Sequence, residues 1–141
     1  MLPAFTSLHF LPVLCTTILG FMLGWVWYSP LLFVKPWMKE MGFTVEQMKK
    51  PSTSQGMMML GGAFLITVVS TIVLAMIINS YRIHGVFSGI KMGLFVGLGL
   101  VAARQGVNAI FQMKSLKLFL IVAGHDIVLL ALQGAILGVW R

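Results

Sequence analysis

The sequence predicts an all-α polytopic membrane protein: one domain, residues 1–141, crossing the bilayer four times. Three observations lead there. Of the residues, 59% are hydrophobic and only 9% charged, against a charged share of about 25% in soluble chains. The apolar residues gather in runs close to the roughly 20 needed to cross a bilayer core. The Lys and Arg mostly stand between those runs, where they orient helices in a membrane. A net charge of +7 would point to nucleic acid in a soluble chain; placed this way it excludes that partner and leaves membrane lipids.

The first span is expected over about residues 8–28. Pro12 stands near its start, where its missing donor is harmless. Gly20 and Gly24 form a small-xxx-small face suited to close helix contact. Trp25, Trp27, Tyr28 and Trp37 crowd the point where this helix should leave the hydrocarbon, as an aromatic belt does. Pro30 disfavours helical geometry at Ser29 and should end the helix. Residues 31–50 mix Lys, Trp, Met and Phe and read as an interfacial segment on the membrane surface.

The second span is expected over about 57–79, its hydroxyls at Thr67, Ser70 and Thr71 returning to the helix's own carbonyls. The third, about 86–111, carries the most pattern. Gly85, Gly89, Gly93 and Gly97 recur every fourth residue and form a groove that admits another backbone. Seven residues after Gly97, Arg104 returns to within about 20° of that groove, followed by Asn108 and Gln112. The fourth span, about 118–140, holds Gly134 and Gly138 as a third close-packing face. The single Cys15 forms no internal disulfide and reads as a buried thiol.

Orientation follows from the basic residues. Lys35, Lys39, Lys49, Lys50, Lys114 and Lys117 fall on one side, against Arg82, Lys91 and Arg141 on the other. The positive side stays in the cytoplasm, so both termini are expected outside a bacterial inner (plasma) membrane.

The stretch Gly24 to Gly42, with WYSPLLF followed by Trp37 and Gly42, resembles the DUF1761 family of small membrane proteins. The linker and three further apolar segments ending AILGVW agree with it over nearly the whole chain. The resemblance implies a four-helix membrane fold and no established activity.

Chemistry-bearing residues are few. Asp126 falls near the middle of the fourth span, where an isolated charge costs about 2.5–3.5 kcal/mol on insertion scales. Arg104 is expected at nearly the same depth and is the natural partner. Asn108, Gln112 and Gln133 would line the same interior. The pair reads either as a structural clamp that fixes register or as the lining of a polar pathway. His125 could ligate a haem or pigment, or pass a proton; a hydrogen-bonded packing role is the alternative. No catalytic motif, phosphate loop or metal-ligand spacing is present, so no enzyme, cofactor or metal is expected. The leading reading is a structural or accessory subunit, a homo-oligomer or part of a larger membrane complex, associating through its Gly-lined faces. The alternative is a small-solute or ion channel or transporter built on Arg104 and Asp126.

Overall fold

A computed structural model describes residues 7–43 and 53–140; residues 44–52, with Lys49 and Lys50, and Arg141 lie outside the described residues. All regular structure among the described residues is helical. Helix α1 spans Phe10–Trp27, α2 Val34–Met41 and α3 Thr53–Ser80. The third span, Val86–Phe111, is built from α4 (Val86–Val96), a π-helical segment (Gly97–Ala102) and α5 (Ala103–Phe111). Helix α6 spans Leu116–Val139. Four helices are thus long and apolar enough to cross a membrane, as the sequence predicts.

The boundaries have local causes. Helix α1 stops at Pro30's approach, where the Ser29 hydroxyl donates to the Val26 carbonyl at 2.7 Å and accepts from the Leu31 amide at 3.3 Å. The short α2, eight residues in the predicted interfacial segment, ends at Gly42, whose φ of 72° is left-handed. Helix α6 begins two residues earlier than the apolar run suggests. Ser115 caps it by accepting from the Leu118 amide at 3.1 Å. Helix α3 starts at Thr53, four residues ahead of expectation.

Helix α6 is the hub, and not the glycine helix that the sequence pattern favours. It packs antiparallel against α1 and against α4, and it also touches α2, α3 and α5. Its closest neighbour is α4, because Gly meets Gly. A methyl group added at Gly89 would lie 1.9 Å from the Gly134 carbonyl oxygen, and one at Gly93 would lie 2.1 Å from that of Leu130. From the other side, additions at Gly134 and Gly138 would lie 2.1 Å and 2.5 Å from the carbonyl oxygens of Gly89 and Gly85. Gly85, at φ 95°, donates its amide to the Gly138 carbonyl at 2.8 Å and so locks the end of the pair. In lipid, where apolar burial gives helices little reason to associate, such backbone contact supplies the attraction.

This arrangement corrects one expectation. Gly20 and Gly24, the Gly85–Gly97 ladder and Gly134/Gly138 do not look outward to other chains. The ladder and Gly134/Gly138 occupy each other, while Gly20 and Gly24 face Leu129, Gln133 and His125 of α6. Below them Val13, Leu74, Ala75, Ile78, Leu130 and Leu137 form the apolar core. Among these lie four fully buried polar side chains, Thr16, Thr17, Thr71 and Gln133.

Candidate functional site

The π-helical segment decides which residue of the third span meets Asp126. In a regular helix Arg104 would follow Gly97 onto the α6-facing side. A π turn holds one residue more than an α turn, which rotates everything after it by about 100°. Gln105 therefore takes the inward place. Its amide Nε2 donates to Asp126 Oδ2, and Arg104 is turned to the exposed surface of the bundle. The expected Arg104–Asp126 ion pair is replaced by an amide–carboxylate contact. The apolar pattern of Gly97–Ala102, GLGLVA, holds no visible mark of this insertion.

The second partner of the carboxylate is its neighbour. His125 Nδ1 lies 2.8 Å from Asp126 Oδ1, with the two side chains 15% and 28% exposed. Asp126 is ten residues past the start of α6, about 15 Å along the helix at its usual rise. Held this way, the carboxylate fixes the imidazole by its Nδ1 and leaves Nε2 as the second ring nitrogen. Nε2 is buried without a hydrogen-bond partner, against Gly24.

An aromatic lid closes over this pair, built by the WYSP stretch. The Trp27 indole donates to the Ile121 carbonyl at 3.0 Å and lies on Gly124, which leaves the room for it. Trp27 and Tyr28 both pack their rings on His125, at centroid separations of 6.0 and 5.4 Å. Tyr28 in turn meets Trp37 of α2, and Trp37 meets Phe43. Tyr28 stands one residue past the first span. Burial, and then the Asp126 carboxylate, push its phenol up to about 12 and keep it protonated. Of the four aromatics expected at the interface, Trp25 does face outward, 76% exposed; Trp27, Tyr28 and Trp37 are spent on the lid. Glu40 accepts from the Ser115 hydroxyl and ties α2 to the α5–α6 turn. This contact gathers Lys35, Lys39, Lys114 and Lys117 at one end of the bundle.

Beside the lid lies a cavity of about 310 Å³ between α2, α5 and α6. Gln105, Asn108, Gln112 and Lys114 give its polar wall, with Trp37 and Phe119 among its apolar lining. Asn108 and Gln112, both exposed, line this recess, and Gln105 joins it to Asp126. Gln133 does not. It is fully buried, and its Nε2 donates to Thr71 Oγ1 of α3 at 2.8 Å, almost two helical turns from the carboxylate. Thr17 also donates to Thr71, at 3.2 Å. Thr71 returns its own proton to the Thr67 carbonyl as its position predicts, while its oxygen accepts from two other helices. Hydroxyl type alone gives no sign of that second use. Among the described residues, no group of three or more His, Cys, Asp or Glu could hold a metal ion.

Fold and site together define a multi-pass membrane protein: four apolar helices with a carboxylate–imidazole–amide cluster under an aromatic lid. The chain belongs to the DUF1761 family, described as a protein of unknown function, whose model matches residues 11–138. No curated protein and no solved structure matches it.

Proposed function

We propose that this is a non-enzymatic membrane protein whose working part is the Asp126 cluster, a binding site for a small ion or solute in a carrier or channel. It opens toward the basic end of the bundle, placed in the cytoplasm of a bacterial inner membrane with both termini outside. The observation that supports this reading is the continuity from Asp126 through Gln105 to a recess walled by Asn108, Gln112 and Lys114. Ionisable residues within spans are rare, and by default they mark ion or solute pathways. Arg104 has no place in this site.

Cysteine accessibility tests the reading. In a Cys15→Ser background, Asn108→Cys and Gln112→Cys should react with a membrane-impermeant thiosulfonate added at the cytoplasmic face. Phe95→Cys, on the apolar outer surface, should not. Silence at both 108 and 112, or reaction from the outer face alone, removes the proposal.

A second reading, the accessory subunit or homo-oligomer, is favoured by a different surface from those in the sequence pattern. The buried residues of α3 all lie in its second half, from Thr71 onward. Its first half exposes Met57, Met58, Met59, Leu65 and Ile66, with Gly61 and Gly62 open to space. If copies associate there, Gly61→Cys in the same background should give disulfide-linked dimers in native membranes on mild oxidation. Monomer at 61 and at 62 would end that reading.

A further inference from the structure

Four buried polar side-chain atoms of the described residues have no hydrogen-bond partner: Thr16 Oγ1, Gln105 Oε1, His125 Nε2 and Gln133 Oε1. Three of them lie along one seam. On α1, Gly24, Gly20 and Thr16 follow at steps of four; on antiparallel α6, His125, Leu129 and Gln133 do the same. The faces meet at Gly24 and at Gly20, and Thr16 continues the α1 face one turn further on. His125 Nε2 lies 3.4 Å from where a side chain would begin at Gly24; Leu129 Cδ1 and Gln133 Nε2 lie 2.6 and 3.3 Å from the same point at Gly20. Thr16 and Gln133 are completely buried. A buried polar atom without a partner costs stability, so three on a single seam call for one shared explanation.

We infer that the ion served by the Asp126 cluster is the proton, and that the α1–α6 seam carries it across the membrane through water-sized steps, with Leu129 as the apolar plug. The inference rests on the proposed reading of Asp126 as an ion site and adds the identity of the ion and its route. Size favours the proton. Thr16, Thr17, Thr71 and Gln133 are packed to zero exposure, too tightly at that depth for a hydrated metal ion or an organic solute, while nearer the lid a cavity of about 350 Å³ beside Gly20, Gly24, His125 and Leu129 has room for water. A proton needs only hydrogen-bonding groups and an occasional water. Each end of the seam has a recess. The cavity of about 310 Å³ reaches Asp126 by way of Gln105. At the other end Ser7, His9, Pro12, Val13 and Asn79 line a pocket of about 20 Å³, the size of one water, a turn beyond Thr16.

The transfer balances without redox change. A proton entering from the basic side is taken up by the Asp126 carboxylate, which passes it to His125 Nδ1 of the Nε2–H tautomer and gives an imidazolium. The groups facing this ring are Asp126 on its own helix and Trp27 and Tyr28 from the lid; Gln105 of α5 reaches it only through the carboxylate. The Nε2–H then gives its proton to a water that passes Leu129 toward Gln133 Oε1 and Thr16 Oγ1. The imidazole is neutral again, with one proton in and one out.

The test uses purified protein in proteoliposomes loaded with the pH dye pyranine, with a potassium diffusion potential set by valinomycin driving proton entry. Wild type should acidify the lumen faster than empty liposomes. Asp126→Asn and Gln133→Leu should each slow it by about tenfold, the effect of one lost hydrogen bond at a rate-limiting step. Leu129→Ala should speed it while carboxyfluorescein stays trapped, an outcome that misfolding does not produce. Wild-type flux no greater than in empty liposomes, or a sodium flux in place of a proton flux, overturns the inference. So does a Leu129→Ala rate equal to wild type. If Asn108→Cys or Gln112→Cys still reacts from the cytoplasmic face when proton flux is absent, the inference alone falls; if both are silent, the site itself is lost.

Discussion

Gly93→Ala should unfold or loosen the α4–α6 pair, with a loss on the order of 3 kcal/mol, the upper range for overpacking. The added methyl would sit 2.1 Å from the Leu130 carbonyl oxygen and 2.6 Å from its carbon. Both atoms belong to a helix backbone, so no rotamer change relieves the clash. The two helices must separate by more than an ångström, which forfeits the contact of Gly89 with Gly134 and the amide bond from Gly85 to Gly138. Gly61→Ala and Gly62→Ala are the matched controls. Nothing lies within 4 Å of either position, and Ala is the better helix former by up to about 1 kcal/mol. They should hold or raise stability. Thermal unfolding in a mild detergent, followed by circular dichroism, reads all three variants. A Gly93→Ala protein as stable as its Gly61→Ala counterpart would show that α4 and α6 are not in backbone contact.

Trp27→Ala has the second largest expected effect. The indole bridges α1 to α6 by its bond to Ile121, packs at 4.7 Å on Phe33 and covers His125 and Gly124. Its removal opens a hole between the lid and the polar pair, with an expected loss of about 3 kcal/mol, the low end for a large aromatic. Trp27→Phe should retain most of the packing and lose about 1 kcal/mol with the hydrogen bond. The variants differ in a second way. With the lid breached, Gly24→Cys in the Cys15→Ser background should react with a water-soluble thiol reagent in Trp27→Ala and stay silent in Trp27→Phe. Equal stability of all three proteins would mean that the WYSP stretch is no lid.

How much of this was legible in the sequence depends on what each feature needs in order to be seen. Span number and approximate limits follow from apolar run length, and α1, α3, the third span and α6 fall where those runs predict. The groove at Gly85–Gly97 was legible because small residues every fourth position need no partner to be recognised. Its occupant was not legible, since close-packing residues look alike whether they meet a neighbour in the same chain or another copy. The Asp126 site was half legible. A carboxylate in an apolar run stands out, and Asn108 and Gln112 follow at helical spacing. Choosing Arg104 as its partner assumed an unbroken α-helical count from Gly97. One extra residue in the π segment undoes that count, and the segment's sequence of Gly, Leu, Val and Ala carries no local signature. The second role of Thr71 stayed hidden because a hydroxyl on a span satisfies itself on its own helix in most settings; only the folded bundle shows that its oxygen also serves neighbours and that Thr16 has no partner.

The register shift at Gly97–Ala102 is the claim on which the site stands, and double-cysteine cross-linking addresses it most directly. In a Cys15→Ser background, Gln105→Cys/Asp126→Cys and Arg104→Cys/Asp126→Cys are each treated with a short bifunctional thiol reagent in the membrane. The account predicts efficient cross-linking of 105 to 126 and little or none of 104 to 126. The reverse preference would restore an unbroken helix, return Arg104 to the carboxylate and contradict the site described above.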